Sequence, residues 1–532
     1  MDTHDIECLL EATCYPHPVS DFKLRETHIS WVILTGDFAY KIKKPVDYGF
    51  VNFSRLSDRH FFCKREVELN RQFTKDIYLD VVGVIQTADG FQIANLNIDG
   101  ELQETEGKLI DYAIRMIQFD DNQQLDHLAS RGELTTNMCI QTARMLARIH
   151  QSLSPLYPKP GELGSPERLK DAVAEDFDLI FRSPHTPEHA EQLKQLEKYW
   201  NALFQNHLKA FNARIKEGFV HDGHGDTHLG NIVLIDDDPV LFDCIEFNDN
   251  FRVMDCMGEI GFLAMDIESK GLMKQSNALL NEYLEQTGDY SGLYVLNLFR
   301  IHYALVRAKI NLVKCDPNAP GYTNQPDFLT YQSYIALADS YCQERRHQKP
   351  ALLIMHGLSG AGKSTVASAI ASTMGGIRIR SDVERKRLFG LGCNDPSDKK
   401  IYTSQASDMT FSRLTTLAEL VLEQGFTCII DATFLHEARR KPLQTLAQRL
   451  NVPCVIVSCE LETETMTQRL IEREKRGDDV SEATVEIMQQ QALHQEPLTP
   501  AEKAHAIVVS TDNGIPGNLQ QLIAAKIDNR GD

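Results

Sequence analysis

The 532-residue chain has no CxxC pair; its 12 cysteines are scattered along its length. That spacing removes the usual zinc frameworks, and scattered thiols in a long chain point to a reducing, cytoplasmic setting. No apolar run approaches the roughly 20 residues that a membrane span needs. The opening segment 1–18 lacks a basic stretch followed by an apolar one, so no secretory signal is expected there. Basic side chains are in deficit, 55 against 75 acidic, which leaves a net charge of −20. Bulk binding to a nucleic-acid backbone needs clustered Lys and Arg and is not expected. A small molecule, a cationic substrate or a single nucleic-acid end in a local basic pocket all remain compatible. Internal repeats are absent too. What is present is a globular composition, 42% hydrophobic and 24% charged, in a chain too long for one ordinary core. The sequence carries no signal for oligomeric state.

The local patterns change along the chain. Residues 24–44 predict two strands joined at Thr35-Gly36-Asp37, and 58–73 predict a helix. Residues 77–98 return to strand, with a hairpin turn at Ala88-Asp89-Gly90, and 109–119 predict another strand. Helical spacing follows over 135–152 and 186–216, separated by a Pro/Gly-rich loop at 154–168. Short strands around Asp236-Asp237-Asp238-Pro239 precede further helices from about 257 to 345. A polar, basic stretch at 343–350 ends in Pro350 and suggests a boundary there. Beyond it, apolar strands alternate with helices, the signature of a parallel, doubly wound sheet. Two domains are therefore expected, 1–345 (itself divided near 118) and 346–532.

The strongest motif is Gly357-Leu358-Ser359-Gly360-Ala361-Gly362-Lys363-Ser364-Thr365, which fits GxxxxGK[ST] between a predicted strand and a predicted helix. Glycines let backbone N–H groups close around phosphate oxygens, and the helix N-terminus adds partial positive charge. Lys363 is placed to reach the β/γ-phosphates of ATP and the Ser364 hydroxyl to ligate Mg²⁺. Asp431 ends the apolar run Cys428-Ile429-Ile430, where a second Mg²⁺ ligand is expected. Asp382 and Arg385 lie three apart, on one face of a helix start. An acid there can take a proton from a substrate hydroxyl, and the Arg can bind substrate or phosphate. Arg469, Arg473 and Arg476 precede a Gly-Asp-Asp and read as a lid closing on phosphates, or equally as a solvated charged helix. With these residues, 350–515 resembles the P-loop phosphotransferases of the polynucleotide-kinase, gluconate-kinase and zeta-toxin group. The resemblance implies phosphoryl transfer from ATP to a hydroxyl, with Asp382 as general base and Arg385 contacting substrate.

A second constellation lies upstream. Asp226, then Asn231 five residues on, then a hairpin, then Asp243 give one acid to orient or deprotonate a hydroxyl, and an Asn and a second acid to hold Mg²⁺ on ATP. His221, His224 and His228 match no zinc spacing. The acids Asp249, Asp255, Glu259 and Asp266 are read as caps and solvated charges in preference to a cation pocket. The string His224-Gly225-Asp226-Thr227-His228-Leu229-Gly230-Asn231 closely resembles the loop of the aminoglycoside phosphotransferase family, which includes choline-kinase-like enzymes. That resemblance spans about 25–340 and implies a two-lobed, protein-kinase-like α+β fold. It implies Lys41 as the α/β-phosphate lysine, with Lys43 a rival on the same strand face, and Glu66 or Glu68 as its partner. It also makes 111–119 the hinge that meets adenine. No GxGxxG loop occurs over 24–38, and Phe242-Asp243-Cys244 stands in place of DFG. The expectation is a multidomain α/β phosphotransferase using ATP and Mg²⁺ at two sites, acting on a small-molecule or nucleotide-type hydroxyl. The alternatives are an ATP-binding regulatory protein whose kinase-like part senses a ligand, and a zeta-toxin-like kinase of a nucleotide sugar.

Overall fold

The computed structural model describes residues 1–528 except 20, 50, 76, 98–99, 103–106, 348–349, 394, 398, 477–480 and 513; the side chains of 343–347, 399–400 and 476 also lie outside the described residues. The chain forms two compact units. The first contains Met1–Leu134, Ser152–Leu169 and Ile215–Glu259; the second contains Thr135–Gln151, Lys170–Arg214 and Ile260–Asp532.

In the first unit, β1 (Lys23–Glu26), β2 (Ser30–Leu34), β3 (Phe38–Lys43), β4 (Tyr78–Thr87), β5 (Gly90–Ala94) and β6 (Lys108–Ile117) make an antiparallel sheet in the order β1-β2-β3-β6-β4-β5. The two strands expected over 24–44 are three. Thr27 and Ser30 exchange backbone and hydroxyl hydrogen bonds and close a tight turn between β1 and β2. Alternation then sets the faces of β3. Tyr40 and Ile42 enter a core with Ile6, Leu9 and Trp31. Ala39 enters the opposite core with Cys63 and Val67 of the helix Leu56–Asn70, so Lys41 and Lys43 share that face. Further on, β7 (Val220–Asp222) pairs with β10 (Val253–Asp255), and β8 (Ile232–Ile235) with β9 (Asp238–Leu241). Asp236 and Asp237 take φ of 51° and 67° between the last two strands. Asp tolerates that left-handed backbone, which suits a two-residue hairpin turn.

The second unit packs helices around a second core and carries the parallel sheet. Trp200, in the helix Pro187–Glu217, is buried and donates to the Leu298 carbonyl at 3.1 Å. Strands β11 (Leu352–His356), β12 (Ile377–Arg380), β13 (Cys428–Asp431), β14 (Cys454–Glu460) and β15 (Ala506–Ser510) lie in the order β12-β13-β11-β14-β15, every neighbouring pair parallel. Leu353, Ile429, Val455 and Val457 are buried among Val366, Ile370 and Ile523 of flanking helices, as a sheet covered on its faces requires. The outer edge of β12 is covered by the helix Met273–Thr287. Asn281 accepts the Arg378 N–H at 2.7 Å and donates to the Gly376 carbonyl at 3.0 Å, satisfying backbone groups that an edge strand otherwise leaves open. Among the described residues, no helix is long and apolar enough to cross a membrane.

Candidate active sites

Strand β11 delivers the chain to Gly357, whose φ is 132° and where a Cβ would sit 2.5 Å from the Cys459 carbonyl oxygen. Only glycine fits there. Gly360 and Gly362 also take positive φ, and Gly362 is the N-cap of the helix Lys363–Met374. A glycine turn ending at a helix N-terminus is an anion-binding arrangement. Ala361 is buried inside the turn and accepts the Thr511 hydroxyl at 3.0 Å, while Ser364 and Thr365 are exposed on the first helical turn. Lys363 is buried and donates from Nζ to the Leu358 carbonyl at 2.7 Å. Burial is the main force lowering its pKa, and Arg473 adds to it. Asp431, Cys459 and Asp382 oppose the shift, so the lysine feels both candidate acids of this site.

Asp431 is buried at the end of β13, and its Oδ2 has no hydrogen-bond partner. A buried carboxylate oxygen without a donor suits a hard cation, and the Asp431 carboxylate and Ser364 hydroxyl are oxygen donors of the kind that would hold Mg²⁺. Bound there, the ion would neutralise phosphate charge and orient the γ-phosphoryl group. Asp382 and Arg385 lie on the helix Ser381–Leu388. Arg385 is buried, donates to the Ile401 carbonyl and the Ser407 hydroxyl at 3.3 Å each, and lies 5.2 Å from the centre of the Tyr402 ring. Its Nε is buried without a partner, which leaves a donor for a ligand oxygen. Arg473 donates to the Ala483 carbonyl at 2.5 Å. The Arg476 side chain lies outside the described residues. Arg469 binds the Thr511 carbonyl at 2.9 Å and so supports the residue that braces the glycine turn. Sequence reasoning missed Gln491, whose Oε1 accepts the Ser359 N–H at 2.9 Å across 132 positions.

In the first unit, Glu66 is fully buried and accepts from Lys41 at 2.7 Å and from Lys43 at 2.6 Å. The two lysines then diverge. Lys41 also contacts Asp243 at 2.5 Å, whereas Lys43 turns to the buried Glu246. Glu68 is exposed and takes no part. Burial alone would lower the Lys41 pKa, but Asp243 and Glu66 outweigh it and hold the ammonium well above its ordinary value. Asp243 itself has φ 63°, and the Tyr78 hydroxyl accepts its N–H at 3.0 Å. The end of β6 and the residues after it reach this region: Phe119 packs on Phe242, ring centres 4.8 Å apart.

The Asp226 carboxylate accepts from Asn231 Nδ2 at 2.9 Å and stands 3.4 Å from His228 Nε2. His224 is buried, and burial lowers its pKa. Its Nδ1 accepts the Asp226 N–H at 3.3 Å, so the neutral ring donates from Nε2 to the Phe242 carbonyl at 2.9 Å. Gly225 has φ 84°, and a Cβ there would lie 2.6 Å from the Phe251 carbonyl oxygen. Glu259 accepts the His224 and Gly225 N–H groups at 2.6 and 2.8 Å and anchors the loop. Asp255 caps a helix through the Met257 N–H. Asp249 pairs with Arg65 and Arg252, and Asp266 stands 3.8 Å from Arg307. Of the four acids, Asp255 is a cap, Asp249 and Asp266 are ion-pair partners, and Glu259 is the loop anchor. Asn231 and Asp243 each offer a side-chain oxygen to Mg²⁺.

Two family models match stretches of the chain that contain most of these residues. Residues 87–296 match the model of the Phosphotransferase enzyme family, and 352–498 match that of an AAA domain. Uncharacterized proteins of Mycobacterium bovis and Mycobacterium tuberculosis are 27% identical over 487 residues, covering 90% of this chain and 91% of theirs. Among solved structures, a choline kinase from Cryptosporidium parvum aligns with TM-score 0.37 and 11% identity over 64% of this chain and 96% of its own. A gluconokinase from Sinorhizobium meliloti aligns with TM-score 0.24 and 18% identity over 34% of this chain and 92% of its own. The chain thus carries two family matches in series, to the Phosphotransferase enzyme family over 87–296 and to an AAA domain over 352–498.

Proposed function

We propose that the chain is an ATP-dependent phosphotransferase with two nucleotide sites, each moving the γ-phosphoryl group to a hydroxyl of a small-molecule or nucleotide-type acceptor. At the P-loop site, Lys363 and the glycine turn hold the polyphosphate. Asp382 takes the proton as the acceptor oxygen bonds to phosphorus and ADP leaves, and Arg385 binds the acceptor or the moving phosphate. At the upstream site, Lys41, held by Glu66, takes the α/β-phosphates, and Asp226 orients the acceptor hydroxyl. The observation that carries the proposal is the buried Lys363 on the glycine turn, whose ammonium is favoured by the charges of both Asp431 and Asp382, together with a buried Asp431 oxygen that accepts no hydrogen bond.

A second reading makes the upstream site a ligand sensor. It is favoured by the tight Thr27–Ser30 turn, which leaves no glycine-rich cover over a nucleotide there. One experiment separates the two: labelled ATP offered to the full chain with sugars, aminoglycosides, nucleosides and 5′-hydroxyl oligonucleotides, beside Lys363→Ala and Asp226→Asn. Labelled acceptor that disappears only with Lys363→Ala favours the sensor. Two products, each lost with one variant, support two transferases. No labelled product with any of these acceptors removes the proposal for that acceptor set.

A further inference from the structure

We propose that Glu285 is a positioning residue for the P-loop site: it holds the Arg380 guanidinium off Asp431, keeping that carboxylate open to a divalent cation and its nucleotide. The inference rests on the P-loop site proposed above. It places inside the phosphotransferase-family segment a residue that sets the metal site of the other domain.

Glu285 is buried on the helix Met273–Thr287 and divides its two oxygens between two arginines of β12. Oε2 accepts from Arg378 at 2.7 Å and Oε1 from Arg380 at 2.8 Å. Arg380 and Asp431 are direct partners in the β12–β13 register. Arg380 Nε is nevertheless 3.9 Å from Asp431 Oδ2, beyond hydrogen-bond reach, and that oxygen is left without a donor. The Arg380 guanidinium feels the Glu285, Asp431 and Asp382 carboxylates, and Asp431, its register partner on the next strand, can take a two-bond fork from it. Glu285 is fixed against drift. Asn281, one turn earlier, holds both the Arg378 N–H and the Gly376 carbonyl, and Asn277 donates to the Ser372 carbonyl at 3.0 Å. From the other side Arg387 donates to the Glu285 carbonyl at 2.5 Å. Without the Glu285 charge, Arg380 closes onto Asp431 and competes with the metal.

The test is Mn²⁺ binding to the full-length chain with ADP present, followed by electron paramagnetic resonance, which reads occupancy without turnover. The binding component lost in Asp431→Asn defines the P-loop site. Glu285→Gln is expected to weaken that component by about threefold or more, the scale of coupling between contacting groups. Glu285→Gln with Arg380→Gln is expected to bring it back toward wild type, because the competing cation is gone. A smaller loss in Glu285→Gln overturns the inference. So does a loss that persists in the double variant, since Glu285 would then only hold two elements together. If Asp431→Asn removes no component, the P-loop reading itself fails and the inference falls with it.

Discussion

Around Lys41 every charge is matched within the protein: Glu66 serves two lysines, Asp243 takes one of them and Glu246 the other. In the P-loop region the matching is incomplete, with Asp431 Oδ2 and Arg385 Nε both buried without a hydrogen bond. Under the proposed function, a nucleotide and metal entering the first arrangement would meet groups that already have partners, with Lys41 on Asp243 Oδ1. The second gains partners on binding, and a buried polar atom without one is costly until a ligand arrives. The upstream site is therefore preformed but self-satisfied, and the P-loop site is built around missing groups.

That contrast can be broken at either end. Asp226→Asn is expected to reduce upstream transfer by about 10²–10⁴-fold, the usual contribution of a positioned acid or base. ATP binding measured by calorimetry should persist, and unchanged transfer would remove Asp226 from the chemistry. Glu66→Ala leaves two buried ammonium groups one carboxylate short and should destabilise the first unit by about 3–5 kcal/mol. Denaturant unfolding reads this, and a loss below 1 kcal/mol, well under the usual range for a broken buried pair, would mean that the network relaxes freely. Lys363→Ala should lower P-loop turnover by about 10²–10³-fold, as loss of one aimed donor does elsewhere. Unchanged turnover would displace the site. The smallest effect concerns acid. Glu285 is buried, which would raise its pKa, but Arg378 and Arg380 outweigh that and hold it at about 2 against an ordinary 4.5. A depressed carboxylate contributes stability above its unfolded pKa and loses it as pH falls through the folded one. About 3 kcal/mol should disappear between roughly pH 5 and pH 2. An acid titration of Glu285→Gln should lack that slope, and an identical slope would assign it to other carboxylates.

Motifs contained in one stretch of chain were legible. The glycine turn could be read because strand, turn and helix are contiguous, and the fold places Gly357 where a side chain has no room. Asp226, Asn231 and Asp243 were legible by order, and the structure brings the first two into hydrogen-bond contact. Lys41 and Lys43 could not be separated from sequence. They share a strand face, and what distinguishes them, Asp243 or Glu246, lies some two hundred positions away. Gln491 and Glu285 carried no local signal for the same reason: each matters only through a distant backbone or arginine. The turn between β1 and β2 was missed because the Thr27 hydroxyl closes it on the Ser30 backbone, without the glycine or proline that flags most turns.

The amide of Asn281 on the margin of β12 bears on how the protein can be taken apart. A fragment beginning near residue 350 would keep all five parallel strands yet lose the cover on the outermost one, exposing an N–H and a carbonyl ready to pair with another copy. Such a fragment should self-associate on expression. Domain dissection therefore has to carry 273–287 along, or replace it with a blocking charge on that margin.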